Sequence, residues 1–220
     1  MGYNYTTFVE AWRLVAQLPA TNSAANTMLP SFIDQGEQRC YRDLDLINTI
    51  ISDASGTLTP DQREFTLPTG NGRFVVLQDV NLVNGTSRTP LEKCARPVLD
   101  MLNPDSASTS GINPVRWAPL TDQTIILGPS PPSALALECI GTIRPANLSS
   151  GNPNTFLSDN LPDLFFAAVM YFTTGYKQNF GAQADNPEEA VSWNTTYETL
   201  LKSASKEEMQ RKYQGFYGSS

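Results

Sequence analysis

Apolar residues recur at helical spacing most regularly between residues 158 and 205. Leu161, Phe165, Ala168, Phe172 and Tyr176 step by three or four, behind Asp159 or Asn160 as a cap and with Pro162 and Asp163 in the first turn. Gly181 closes that run. Asp185-Asn186-Pro187-Glu188-Glu189 opens another with a cap, a first-turn proline and two acids, and Ala190, Trp193, Tyr197, Leu200 or Leu201 and Ala204 form its stripe. The pattern predicts an antiparallel helical hairpin over 162–180 and 187–205, whose remaining apolar face needs further helices to cover it.

Two earlier stretches supply them. Phe8, Trp12 and Val15 share a face over residues 5–18, before Pro19. Ile33, Gly36, Cys40, Leu44, Ile47 and Ile51 then predict a helix over 29–52, with Asp34, Glu37, Gln38, Arg42, Asp45 and Asn48 on a solvated or subunit-facing side. Between Gln62 and Leu148 the period changes to that of strands. Arg63–Leu67 and Arg73–Leu77 flank a Pro-Thr-Gly-Asn-Gly turn, and Thr124–Leu127 and Ala134–Ile143 flank Gly128-Pro129-Ser130-Pro131-Pro132. Residues 91–102 read as a short helix or as two turns, and 103–114 as an exposed loop. The expected fold class is therefore α+β, mainly α: a four-helix bundle from 1–61 and 149–205, a β-rich insertion over 62–148, and an extended C-terminal tail over 206–220.

That tail carries the candidate partner-binding residues. Lys206, Arg211 and Lys212 precede the aromatics Tyr213, Phe216 and Tyr217, which cannot form an amphipathic element of their own and suit docking into a neighbour's crevice.

Charge and residue usage narrow the function. A net charge of −7 with 15 basic residues among 220 argues against a clamp on nucleic acid, though an acidic wall suits a conduit through which a polyanion slides. The chain has no histidine, which removes the commonest general base and the usual triads. Three separated cysteines, Cys40, Cys94 and Cys139, predict neither a disulfide framework nor a metal cluster. Asp159 and Asp163, or Glu188 and Glu189, have a sufficient explanation as helix-start charges, and Asp43 and Asp45 as surface. No catalytic, cofactor-binding or metal-ligating set is expected, nor a signal peptide or membrane span.

Particular segments resemble a known family. Leu29-Pro30-Ser31-Phe32-Ile33 leading into Glu37-Gln38-Arg39 and Arg42-Asp43-Leu44 is similar to the opening helix of head-to-tail adaptor proteins of tailed phages. Ile125-Ile126-Leu127-Gly128-Pro129-Ser130-Pro131, Asn160-Leu161-Pro162-Asp163-Leu164-Phe165 and Ala190-x-x-Trp193-x-x-x-Tyr197-x-x-Leu200-Leu201 follow in the family's order. The sequence departs from that pattern at Gly36, where alanine is expected, and over residues 84–118. The resemblance implies a structural connector in the virion, a ring of twelve copies under the portal. It implies portal and tail proteins as partners, DNA passing through the channel without sequence-specific binding, and assembly in the host cytoplasm. The alternatives are a tail-completion or minor tail protein that does not touch the portal, and a small enzyme of unstated chemistry.

Overall fold

The computed structural model describes residues 2–104, 111–175 and 187–213. They divide into two units, residues 1–47 with 146–220 and residues 48–145.

The first unit is helical. Asn4 opens α1 (Tyr5–Val15) in a reciprocal cap with Thr7, and Asn22 caps α2 (Ser23–Asp43). Thr155 and Ser158 form a second reciprocal cap at α4 (Phe156–Asn160), and α5 (Pro162–Gly175) follows directly, with proline where a missing N–H costs nothing. The last helix is α6 (Pro187–Tyr213). Phe8, Trp12, Phe32, Ile33, Cys40, Phe165, Val169, Met170 and Tyr197 are buried together in one core. Trp12 donates its indole N–H to the Thr173 hydroxyl at 2.9 Å, which satisfies the core's largest polar handle.

The second unit is a pair of four-stranded sheets. One has the order β1 (Ile50–Thr57), β8 (Ala136–Arg144), β3 (Arg73–Asn84), β4 (Ser87–Pro90). The other has the order β2 (Glu64–Thr66), β7 (Thr124–Gly128), β6 (Arg116–Pro119), β5 (Glu92–Lys93). Phe65, Trp117, Ile125 and Leu127 from the second sheet bury against Phe74, Val80, Leu82, Leu137 and Cys139 from the first, as in a sandwich. The short α3 (Arg96–Leu102) seals the other side of the second sheet, packing Leu99 on Ala118 and Ile126.

This overturns the expected fold class. The described residues hold six helices and two four-stranded sheets, a mixed α/β fold and not a mainly α four-helix bundle with a β-rich insertion. The error begins at Leu44. Leu44, Ile47 and Ile51 fit a helical period, yet α2 stops at Asp43 and Leu44 is extended, with φ −116° and ψ 130°. Ile47–Thr49 form one 3-10 turn and β1 starts at Ile50, antiparallel to β8 with Ile51 opposite Gly141. Stiff, β-branched Ile50 and Ile51 favour the extended chain once β8 offers a partner, a pairing 90 residues away that local periodicity cannot register.

The helix ends shift for similar reasons. The polar stretch from Ser23 to Thr27, ahead of the expected helix start at residue 29, is the first turn and a half of α2. Residues 206–213 of the tail, whose first part the sequence also allowed as an extension of the last helix, continue α6, because Lys, Glu, Met, Gln and Arg are good helix formers and Arg211 pairs with Glu207 one turn back. The predicted end of the 162–180 helix, Gly181 and the Asp185-Asn186 cap lie outside the described residues.

Candidate partner-binding surface

A surface that receives a partner needs exposed side chains on a rigid support. α6 provides both. Of its described side chains only Tyr197, Ala204 and Glu208 are fully buried, a narrow seam flanked by the half-buried Trp193, Leu200 and Leu201. The opposite face carries Ser192, Thr195, Thr199, Lys202 and Lys206. The Thr195 and Thr199 hydroxyls are turned back onto the carbonyls of Val191 and Thr195, at 3.0 and 2.9 Å.

So thin a seam is reinforced by charge. Arg39 of α2 lies between the rings of Tyr171 and Tyr197, its guanidinium carbon 4.8 and 4.0 Å from their centroids. It donates to Asn194 at 2.7 Å, and the Tyr197 hydroxyl donates to Asp43 at 2.8 Å. α2, α5 and α6 therefore meet on one cation. Asp43, expected as an isolated surface carboxylate, is part of this arrangement. Burial raises the Tyr197 hydroxyl well above the ordinary phenol value and pushes the Cys40 thiol beneath it up to about 12, so both stay neutral.

The six residues singled out in the sequence separate here. Lys206 is exposed on α6. Arg211 turns inward, donating to Glu208 at 2.7 Å and lying 5.6 Å from the Phe156 ring of α4. Lys212 pairs with Asp45 beyond the end of α2. Tyr213 is 55 % exposed, next to Met209 at 57 %. Phe216 and Tyr217 lie outside the described residues. Met209, Lys212 and Tyr213 line a groove of about 440 Å³ with Leu44, Asp45, Ser205 and Glu208. Glu208, only 4 % exposed, also accepts from the backbone N–H of Ile47 at 3.4 Å. The sequence reading missed Glu208 as an anchor, although it continues the stripe of Tyr197, Leu201 and Ala204 by one more turn.

Nothing in this geometry gathers reactive groups. The carboxylates at helix starts do what their positions suggest, Asp163 accepting from the Leu164 N–H at 2.8 Å. In the second unit, a cavity of about 470 Å³ on the side of the sheet that α3 covers is lined by Arg63, Glu64, Arg96 and Asp100. There Asp100 is bound by Arg63 at 2.9 Å and is not left to work on a substrate. Among the described residues no three metal-ligating side chains converge.

Comparison with known families gives a match. The family model of the SU10 adaptor protein matches residues 3–217. This chain belongs to the SU10 adaptor protein family. Membership places it among structural phage adaptor proteins, as the resemblance at Leu29–Leu44 and Asn160–Phe165 implied. No curated protein matches the chain. No helix among the described residues of this adaptor is long and apolar enough to cross a membrane.

Proposed function

We propose that this adaptor forms a ring, of twelve copies, beneath the portal of a tailed phage, joins the capsid to the tail and continues the DNA channel in the virion. The observation that carries the reading is the match to the adaptor family over nearly the whole chain. The shape of α6 supports it. Its outer face, with Ser192, Thr195, Thr199, Lys202 and Lys206 exposed, is left for neighbours, and heterologous contacts around a ring can be polar and wet. Net charge −7 suits a channel through which DNA slides without sequence-specific binding.

Within this reading the portal-docking end is the run from Lys206 through Tyr213 to Phe216 and Tyr217. Arg211 and Lys212 act from within, holding the last turns of α6 in place, while Met209 and Tyr213 present apolar surface beyond them. The test is mass measurement of the protein alone and mixed with its portal, with the intact chain and with a chain ending at Tyr213. We expect a monomer alone, a multi-copy assembly on the portal, and loss of that assembly in the shortened chain. Intact chains that ignore the portal and bind a tail protein would favour a tail-completion role.

A further inference from the structure

Glu37 is the least expected buried group in the molecule. It lies on α2, on a face that reads as solvated, yet it is 1 % exposed. Its two oxygens are used unequally. Oε1 accepts from the Leu148 N–H at 3.1 Å and from the Thr155 hydroxyl at 3.4 Å, whereas Oε2 has no partner. One turn earlier, Asp34 accepts from the side-chain amide of Asn147 at 2.6 Å.

These two carboxylates hold the segment 146–155. The segment is closed on itself by the Asn152 side chain, which donates to the Ala146 carbonyl at 2.9 Å, and it leads into the cap of α4. It also carries the start of the chain, since the Tyr5 N–H donates to the Pro153 carbonyl at 2.9 Å and the Tyr3 N–H to the Ser158 carbonyl at 2.8 Å. Whatever loosens Glu37 therefore loosens both.

A buried carboxyl with one oxygen unsatisfied is far cheaper to keep neutral than charged, because no donor replaces the water that the anion gives up. We propose that Glu37 is a proton-operated latch: the neutral acid holds segment 146–155 and residues 3–5 shut against the helices, and its ionisation loosens them. Burial pushes its carboxyl up from the usual 4.5 to about 7, and the donors Leu148 and Thr155 offset only part of that. The charged group acting on it is Asp34, on the same helix, which raises it further. Cys40, one turn on, stays a neutral thiol, and residues 146–155 contain no ionisable side chain. From α5 the neighbour at this point of α2 is Val169, packed on Gly36.

The sign follows from linkage. A carboxyl that titrates near 4.5 with the segment open and near 7 with it shut binds its proton more tightly in the shut state, so shutting is favoured at low pH and weakens as pH rises through neutrality. With these two values, opening is roughly tenfold more frequent at pH 8 than at pH 6. Hydrogen exchange of the Leu148 amide in the full chain, corrected for the intrinsic effect of pH, reads this directly. The expected result is the tenfold rise in the native protein and no rise in Glu37→Gln, which keeps the Oε1 acceptor and cannot ionise. Equal opening at both pH values in the native protein, or the same rise in Glu37→Gln, overturns the latch. Should Glu37→Gln not fold, carbon-13 titration of the Glu37 carboxyl in the native protein decides: a midpoint near 7 supports the proposal, and one near the ordinary value overturns it.

Discussion

Gly36 shows what a single side chain decides here. An ideal Cβ at this position lies 2.6 Å from the Val169 Cγ2 and 3.2 Å from the Val169 backbone nitrogen, so α2 and α5 touch almost backbone to backbone. Only a residue without a Cβ permits so close an approach. Gly36→Ala gains the better helix propensity but must push α5 outward by several tenths of an ångström. Overpacking of that kind costs about 1–3 kcal/mol, more than the 1 kcal/mol or so of propensity returned. The expected outcome is a lower urea midpoint with unchanged slope; a variant as stable as the parent would mean that α5 moves freely.

At the scale of elements, α6 fully buries only Tyr197 and Ala204 among its described apolar side chains, with Trp193, Leu200 and Leu201 half-buried beside them, so Arg39 adds a polar tie to its attachment. Arg39→Ala removes the guanidinium from between Tyr171 and Tyr197, takes away the donor that the Asn194 side-chain carbonyl accepts from, and costs Asp43 its ion pair while the Tyr197 hydroxyl still donates to it. A loss of about 2 kcal/mol is expected. Arg39→Lys recovers little of it, because an ammonium cannot stack as a plane between two rings. Hydrogen exchange should show faster opening along 190–210 in both variants, and protection as in the parent would contradict the account. The same elements show what the sequence discloses. α1 and α5 are legible because their apolar residues keep one period, although Asp159 and Asn160, expected to cap α5, belong to the preceding α4. The boundary of α2 and β1 is not, since a helical spacing at Leu44, Ile47 and Ile51 coincides with a β-branched run that only β8, far along the chain, can recruit. Site residues divide in the same way. Exposed Tyr213 is where an aromatic tail suggests, while Glu37, Arg39 and Glu208 are polar residues with buried work, and nothing local separates them from a solvated helix face.

For the molecule as a whole, two separate cores are the governing fact. Phe8, Phe32, Phe165 and Tyr197 belong to one, and Phe65, Phe74, Trp117 and Leu137 to the other. The chain leaves the first unit after Ile47 and returns at Ala146, so the second is continuous in sequence and has its own sandwich core with a helix over one sheet. Residues 48–145 expressed alone should fold, with the near-ultraviolet dichroism of buried Trp117 preserved and lost cooperatively in urea. A fragment without that signal would show the strands to depend on the helical unit.

The central claim is that this adaptor works by being held between the head and the tail. Imaging of the phage neck at side-chain resolution tests it most directly. The account predicts a closed ring of this chain against the portal, with the end of α6 and residues 214–220 on the portal side; a chain placed lower in the tail, or one whose C-terminal end points away from the portal, would contradict it.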